Sequence, residues 1–477
     1  MSVSQNLATL SVSKLAPLIY SRQISPVELT QEVFHQIEAV EPLVNAYITI
    51  LKQQALADAH AAEYNILKGN YLGPFHGIPI GLKDMIKTRG IRTTAGSAIL
   101  ANCITNYDAS CVVRLRQAGA ILVGKQNCHE FAFGSTNNNL TFGPVHNPWN
   151  LEYIPGGSSG GSAAAVSASE CIAAIGTDTG GSVRNPAACC GIVGLKPTYD
   201  RASTCGVFPL SWSMDTLGLL TKTVTDAALT LQIVAGYDPF DITTSSRPVP
   251  DYTSGIEDGI KGLLVGIPRN YFFDRIDSEV KERVESAIHM LTNLGAIPVE
   301  ITLPNVELSL LCTYTIIFAE ASSCHEPLLQ NWANLYSPDV RLYLESGESL
   351  TATKYLKAQR LRTLIKQSLN SIMEHVDVIV APTVPSPAVK IGQNSVVING
   401  QVESITDAMF RYTCPFNLSG QPSLAVPCGF SENGLPISLQ IVGRPFDEKT
   451  VLRVGRAFEA STKWHSIQPA LNSIIKD

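Results

Sequence analysis

Residues 155–197 constrain this chain most, because they hold two serine clusters flanked by glycines in a stretch that is poor in charge. The clusters are GGSSGG at residues 156–161 and TGGS at residues 179–182. Glycine permits backbone conformations and close approaches that a Cβ atom would block. A flexible Gly/Ser linker would lack the apolar run at residues 171–176 and the charged residues beside the second cluster. The pattern therefore favours a functional site over a linker.

The composition indicates a soluble protein with a large core, since 45% of the residues are hydrophobic and 16% are charged. A net charge of −6 without a long basic run argues against a general nucleic-acid surface. Residues 1–16 lack the basic head and apolar core of a secretory signal, and no apolar run approaches the length of a membrane span. Eleven cysteines without CxxC pairs fit reduced thiols. We expect a cytoplasmic protein without a membrane anchor.

Short apolar runs alternate with amphipathic stretches along most of the chain, which predicts α/β layers in one large domain. The predicted strands are residues 78–82, 120–124, 261–268, 296–302, 376–382, 423–427 and 437–442. The predicted helices cover residues 11–55, 110–119, 224–236, 278–294, most of 306–371, and 448–460. Within the first of these, Ser25, Pro26 and Glu28 form a helix start signal with proline at the first helical position.

Lys83 ends the apolar strand predicted at residues 78–82, where a charged amine is unusual. Burying an ammonium group is costly unless a partner compensates it. Taken alone, the residue is best interpreted as a lysine whose head reaches water or pairs with Asp84. A catalytic role requires a partner for a neutral amine elsewhere in the chain.

Several familiar functional motifs are either absent from the chain or lack the sequence context that they require. The GGSSG segment around Ser158 fits the G-x-S-x-G nucleophile elbow, but a poor strand precedes it and only His465 follows in a suitable order. The chain has no Gly-Lys-Ser/Thr P-loop and no G-x-G-x-x-G after a strand. Cys128, His129 and Glu130 are metal ligands by type, yet adjacent side chains seldom converge on one ion. We therefore expect neither a metal nor another cofactor.

The glycine and serine pattern closely resembles the signature of the amidase signature family. Every position of that pattern is met, at Gly156, Ser158, Ser159, Gly160, Gly161, Asp178, Gly180, Ser182, Arg184, Pro186 and Ala187. The spacing from Ser158 to Ser182 is the one that the family uses, and GLKD at residues 81–84 resembles its upstream lysine motif. The similarity extends over nearly the whole chain, to GLPISLQIVGRPFDE near its end. A signature of this length is highly specific.

The resemblance implies a single amidase domain over residues 1–477, with a central mixed β-sheet covered by helices on both faces. It divides that domain into a helical N-terminal segment at residues 1–70, a signature core at residues 73–200 and further α/β elements at residues 201–477.

The resemblance also implies a Ser-cisSer-Lys triad. Ser182 would be the nucleophile, Ser158 would relay its proton from a cis peptide after Gly157, and Lys83 would be the base. Desolvation lowers the pKa of a lysine, so the apolar strand before Lys83 helps to keep the amine neutral. The backbone N–H groups of the loop around Ser182 would form the oxyanion hole, and an acyl-enzyme would form on Ser182. The loop residues that would provide this hole, besides Ser182, are Thr179, Gly180 and Gly181. Asp178 and Arg184 would brace the loop.

The same family contains stand-alone amide hydrolases and the A subunit of the glutamyl-tRNA(Gln) amidotransferase. The segment GVFPLSWSMD at residues 206–215 resembles the stand-alone hydrolases, so we predict hydrolysis of a small amide to an acid and ammonia or an amine. The alternative is an amidotransferase subunit that releases ammonia from glutamine. Partner subunits are expected only for the amidotransferase subunit. Direct contact with nucleic acid is expected in neither case. A homodimer is compatible with the stand-alone hydrolase. Phe133 and Trp212 are candidates for the substrate pocket, although both could equally be core aromatics.

Overall fold

The computed structural model describes residues 6–471. The strands are β1 Tyr47–Ile50, β2 Pro79–Lys83, β3 Ile121–Gln126, β4 Ala173–Asp178, β5 Val193–Lys196, β6 Thr216–Thr221, β7 Leu264–Pro268, β8 Ile297–Ile301, β9 Val378–Pro382, β10 Ser395–Ile398, β11 Gln401–Ser404, β12 Ser423–Phe430 and β13 Pro436–Val442. The helices are α1 Val12–Tyr20, α2 Pro26–Val44, α3 Lys52–Leu67, α4 Ser110–Gln117, α5 Gly160–Ser167, α6 Arg184–Cys190, α7 Val224–Val234, α8 Ser278–Asn293, α9 Ser309–Trp332, α10 Pro338–Glu348, α11 Ala352–Ile372, α12 Ile405–Arg411, α13 Cys414–Ser419 and α14 Glu448–Ala460.

Eleven of the strands within residues 6–471 form one sheet, in the order β1-β3-β2-β4-β6-β5-β12-β13-β9-β7-β8. The pairs β2–β3, β2–β4, β7–β8 and β7–β9 are parallel, and the other neighbours are antiparallel. Helices pack against this sheet, and strands and helices together contribute the buried aliphatic side chains of the core. The predicted α/β fold with a central mixed sheet and covering helices is confirmed.

The N-terminal prediction is correct for the helix start and wrong for one strand. Ser25 caps α2 with a capping box to Glu28, and Pro26 is the first helical residue. The segment predicted to be helical throughout residues 11–55 is interrupted by β1, which pairs antiparallel with β3. That pairing is a tertiary contact across about 75 residues, and the local periodicity does not report it. Among residues 6–471, no helix is long and apolar enough to cross a membrane.

Two parallel strands bring the separated parts of the site together. In the pairing of β2 with β4, Leu82 lies opposite Ile175, so both strands end at the same edge of the sheet. The carboxyl ends of parallel strands in an open sheet are a common location for ligand sites. Lys83 at the end of β2 is thereby placed beside Thr177 and the loop that follows β4.

Helix α5 is buried along its whole length and consists of small residues, which lets it pack closely on the strands. A Cβ atom at Gly161 would lie 2.4 Å from the carbonyl oxygen of Asn127. Real Cβ atoms do not approach other atoms so closely, so glycine is required at this position. The first glycine and serine cluster is therefore a packed turn into a helix.

Candidate active site

Lys83 is completely buried and has hydroxyl groups as its hydrogen-bond acceptors. Its Nζ donates to Ser158 Oγ at 2.7 Å and to Thr177 Oγ1 at 2.8 Å. No carboxylate among the described residues forms an ion pair with it. Burial lowers the pKa of Lys83 to about 8, although the negative charges of Asp178 and Asp215 act in the opposite direction. The amine is still mostly protonated at neutral pH, but its neutral form is far more populated than that of an exposed lysine.

The neighbouring acid does not neutralise this lysine. Asp84 Oδ1 lies 3.0 Å from Nζ of a second buried lysine, Lys125 on β3. Asp84 Oδ2 accepts hydrogen bonds from the backbone N–H and the hydroxyl of Thr94. The sequence-based interpretation of Lys83 as a water-exposed or Asp84-paired side chain is therefore wrong. The reason is that β3 supplies the partner of Asp84, which the order of residues along the chain does not reveal.

Ser158 lies in the first glycine-rich turn and is completely buried. A cis peptide bond joins Gly157 to it. The next residue, Ser159, donates its backbone N–H to the carbonyl oxygen of Ser182 at 3.2 Å, so the two serine turns are held side by side. In the part of the chain that the structure describes, no hydrogen bond joins the hydroxyls of Ser158 and Ser182.

The second serine turn presents free backbone donors. From Thr179 to Ser182, no backbone N–H group donates a hydrogen bond to another described residue. Gly181 has a φ of +137°, and a Cβ atom there would lie 2.1 Å from Thr413 Oγ1. That hydroxyl donates to the carbonyl oxygen of Gly180 at 2.6 Å, and the hydroxyl of Thr179 donates to Asp215 Oδ1 at 2.6 Å. Fixed donors of this kind can stabilise a developing oxyanion.

A buried ion pair between the residues that flank this turn holds it in place. Arg184 contacts both carboxylate oxygens of Asp178 at 3.0 Å, and Asp178 also accepts from the backbone N–H of Val183. Arg184 further donates to Asn417 Oδ1 at 2.6 Å. Burial alone would raise the pKa of Asp178, but Arg184 holds that pKa at about 2. The pair fixes the loop and leaves no proton for chemistry near neutral pH.

A cavity of about 190 Å³ opens beside Ser182. Its walls are mostly apolar and aromatic, and they include Phe133. Trp212 does not line this cavity, and 48% of the residue's surface is exposed. The residues that line the cavity are Ala132, Phe133, Gly134, Thr179, Gly180, Ser182, Leu210, Tyr314, Ile317, Phe318, Tyr343, Ser404, Thr406, Asp407 and Phe410.

The other candidates from the sequence have partners away from the nucleophile. Glu130 accepts hydrogen bonds from Ser97 and Ser337, and His129 Nε2 lies 3.0 Å from Asp339 Oδ2. Among the described residues, no group of three or more acidic, histidine or cysteine side chains could hold a metal ion. His465 lines a different cavity, away from Ser182.

Sequence reasoning missed four residues of the site. Thr177 immediately precedes the signature residue Asp178, so its position beside Lys83 could have been noticed once β4 was assigned. Asp215 ends the segment at residues 206–215, but nothing in that segment indicated a role for it. Nothing local indicated a role for Asp407 on α12 or for Thr413 just before α13, because both reach the site from more than 200 residues beyond Ser182.

Comparison with known proteins finds similar chains over almost the whole length of this one. The family model described as Amidase matches residues 28–452. The A subunit of the glutamyl-tRNA(Gln) amidotransferase from Trichlorobacter lovleyi is 42% identical, covering 97% of this chain and 99% of that protein. A solved structure from a vestigial protein complex related to the origins of an s-triazine catabolic enzyme has a TM-score of 0.92 at 31% identity, covering 95% of this chain and 98% of that one. The A subunit of the glutamyl-tRNA(Gln) amidotransferase from Thermotoga maritima has a TM-score of 0.81 at 36% identity, covering 96% of each chain.

Proposed function

This chain belongs to the amidase family and acts on amide C–N bonds, and from that premise we propose that Ser182 is its nucleophile. Ser158 is the proposed relay and Lys83 the proposed base. The observation that carries the proposal is the 2.7 Å hydrogen bond between Ser158 Oγ and a lysine that is wholly buried and unpaired with any described carboxylate. A neutral amine in that position can accept a proton.

In the proposed first half-reaction, Ser182 Oγ attacks the amide carbonyl carbon. Its proton passes to Ser158 Oγ, and the proton of Ser158 passes to the neutral amine of Lys83. The contact between the two hydroxyls forms when substrate is bound, as catalytic hydrogen bonds often do. The carbonyl oxygen becomes an oxyanion that the free N–H groups of residues 179–182 bind, each donor contributing about 2.7–4 kcal/mol.

The tetrahedral intermediate then collapses and the C–N bond breaks. The proton held by Lys83 returns through Ser158 to the departing nitrogen, which leaves as ammonia or an amine. An ester remains on Ser182, and water hydrolyses it by the same route to give the carboxylic acid. Every proton in this cycle moves between groups that are part of the site, the substrate or the attacking water.

A fluorophosphonate tests the nucleophile directly, because it forms a covalent adduct with an activated serine. We expect labelling at Ser182 in the native chain and none in Ser182→Ala, with the adduct located by mass spectrometry. Ser162→Ala is the matched control, since Ser162 Oγ is buried without a hydrogen-bond partner on the neighbouring helix α5. Labelling that survives in Ser182→Ala would contradict the assignment.

Two biological settings are candidates, and the curated relatives favour the amidotransferase subunit over the stand-alone hydrolase. Relatives at 42–43% identity are A subunits of glutamyl-tRNA(Gln) amidotransferases. In this setting the chain would release ammonia from glutamine for partner subunits. The free thiols of all the cysteines fit the cytoplasmic location that we propose with it.

The stand-alone hydrolase stays a second candidate because of one feature of the cavity. Among the described residues that line it, none is a lysine or an arginine. Glutamine would bring its α-carboxylate into this aromatic cavity, where a charge without a partner is strongly disfavoured. An amide whose acyl group carries no carboxylate avoids that cost.

Ammonia release from a panel of amides distinguishes the two settings. The purified chain is assayed alone with glutamine and with neutral and cationic amides, and then with glutamine in the presence of amidotransferase partner subunits. Glutaminase activity that requires the partners supports the amidotransferase setting. Turnover of simple amides by the isolated chain, with glutamine inert, supports the hydrolase.

A further inference from the structure

The cavity beside Ser182 contains one acidic side chain among its described lining residues, Asp407. It lies in the first turn of α12, where its backbone N–H is capped by the hydroxyl of Ser404. Asp407 Oδ1 accepts a hydrogen bond from the hydroxyl of Tyr314 at 2.7 Å. The carboxylate is therefore held in a defined position on the wall of the cavity that also contains the nucleophile.

The negative charge of Asp407 has no cationic partner in the described part of the chain. Its Oδ2 atom accepts no hydrogen bond from a described residue. Arg411 follows one turn later on the same helix but pairs with Glu403 at 3.0 Å and donates to the carbonyl oxygen of Arg275. Asp407 is only partly buried and lines the cavity, so a cation that enters the cavity can pair with its carboxylate.

The rest of this wall is suited to a cation as well. The ring of Phe133 lies 5.5 Å from that of Phe318 and 5.1 Å from that of Tyr343. Tyr314 stacks on Phe318 at 5.4 Å, and Phe410 also lines the cavity. Aromatic faces attract ammonium groups through their quadrupoles, most strongly where water is excluded. A carboxylate among several aromatic rings has the chemistry to bind an ammonium group.

We propose that the acyl portion of the substrate carries an ammonium group that pairs with Asp407 Oδ2. The amide carbonyl then lies at Gly180 and Ser182, which line the same cavity, so one molecule contacts both ends. The substrate class is an amino-alkyl amide without a carboxylate, which belongs to the stand-alone hydrolase and not to the amidotransferase setting. This inference rests on the proposed function, since it places the reacting amide at Ser182.

Three amides of matched size test the charge preference. They are 6-aminohexanamide, which is cationic, heptanamide, which is neutral, and adipamic acid, which is anionic. Homologues of each that are shorter by one and two methylenes are measured in parallel, so that chain length cannot hide the effect of charge. We expect kcat/KM to be at least about tenfold higher for the best cationic amide than for its neutral counterpart, and lowest for the anion.

Asp407→Asn keeps the size of the side chain and an oxygen for Tyr314 but removes the charge. We expect it to lower kcat/KM for the cationic amides by roughly 10–100-fold and to leave that for the neutral amides within about twofold. Glu348→Gln is the matched control, because it removes one negative charge from the exposed end of α10 and does not line the cavity. This variant should leave both values unchanged.

The outcomes separate this inference from the proposed function. Two outcomes would overturn the Asp407 assignment alone. One is fluorophosphonate labelling of Ser182 together with turnover that does not depend on substrate charge. The other is a cation preference that is unchanged in Asp407→Asn. Failure of every amide to react, with no labelling of Ser182, would overturn the proposed nucleophile and this inference together. Labelling of Asp407→Asn at the native rate shows that the variant has folded with an intact nucleophile.

Discussion

Two buried lysines on neighbouring strands have opposite surroundings. Lys83 ends β2 and Lys125 lies on β3, and the pairing of these parallel strands places Leu82 opposite Lys125. Both side chains are completely buried. Lys125 Nζ lies 3.0 Å from Asp84 Oδ1, whereas the described acceptors of Lys83 Nζ are the hydroxyls of Ser158 and Thr177.

The two lysines differ in how strongly their surroundings favour the charged ammonium form. Burial lowers the pKa of both lysines, but in Lys125 the carboxylate of Asp84 opposes this effect and favours the ammonium. The hydroxyl partners of Lys83 can accept from an ammonium and can also donate to a neutral amine. Identical burial thus produces a structural cation in one case and a candidate base in the other. Substitutions at these positions should separate catalytic from structural effects.

The largest expected effect is the loss of activity in Lys83→Met. Methionine fills a similar volume but accepts no proton, so we expect kcat/KM to fall by about 10²–10⁴-fold. The free energy of unfolding should change little, because the substitution leaves no buried charge behind. Steady-state ammonia release and urea denaturation measure the two quantities. Unfolding as severe as that of Lys125→Met would show that Lys83 is mainly structural.

Lys125→Met should give the reverse result, a loss of stability. The variant leaves the Asp84 carboxylate buried without its cation, which costs about 3–5 kcal/mol in the free energy of unfolding. The double variant Asp84→Asn with Lys125→Met removes both charges and should recover part of that loss. Urea denaturation of the three chains measures the coupling. A cost below about 1 kcal/mol for Lys125→Met would mean that this ion pair does not stabilise the fold.

The pH dependence of catalysis should report Lys83 and not Lys125. Because burial lowers the pKa of Lys83 to about 8, the amine is protonated below that pH and cannot act as a base. We expect kcat/KM to rise about tenfold per pH unit up to about pH 8 and then to level off. Stopped assays between about pH 5.5 and about pH 9.5 measure the profile. A flat or falling profile below pH 8 would exclude a neutral lysine as the base.

The smallest expected effect is a shift of that profile in Thr177→Val. Removing this hydroxyl takes away one acceptor of the Lys83 ammonium, so the neutral form is favoured and the apparent pKa falls below its value in the native enzyme. The displacement should be up to about one pH unit, and Thr177→Ser should restore the native profile. An unchanged profile in the valine variant would mean that Thr177 does not tune the base.

Part of the fold could be predicted from local pattern because some elements carry a strong local signal. The apolar run at residues 78–82 predicts β2 within one residue, and the start signal at Ser25 predicts α2. The strand β1 and the helix α12 were missed, since their formation depends on pairing with β3 and on packing against α9. Elements whose stability comes from tertiary contacts have no reliable local pattern.

The sequence by itself determined the candidate catalytic residues: Ser158 and Ser182, which belong to one contiguous signature, and Lys83 in the upstream motif. Their glycine neighbours are required by backbone geometry, so the pattern is visible without a structure.

Only the tertiary structure decided which of these two buried lysines pairs with a carboxylate and which acid lines the cavity beside Ser182. The pairing of Asp84 with Lys125 depends on strand register, and the position of Asp407 depends on a helix that packs beside the site from far along the chain. Charge compensation is a property of distances in space, and for that reason it could not be read from the order of the residues.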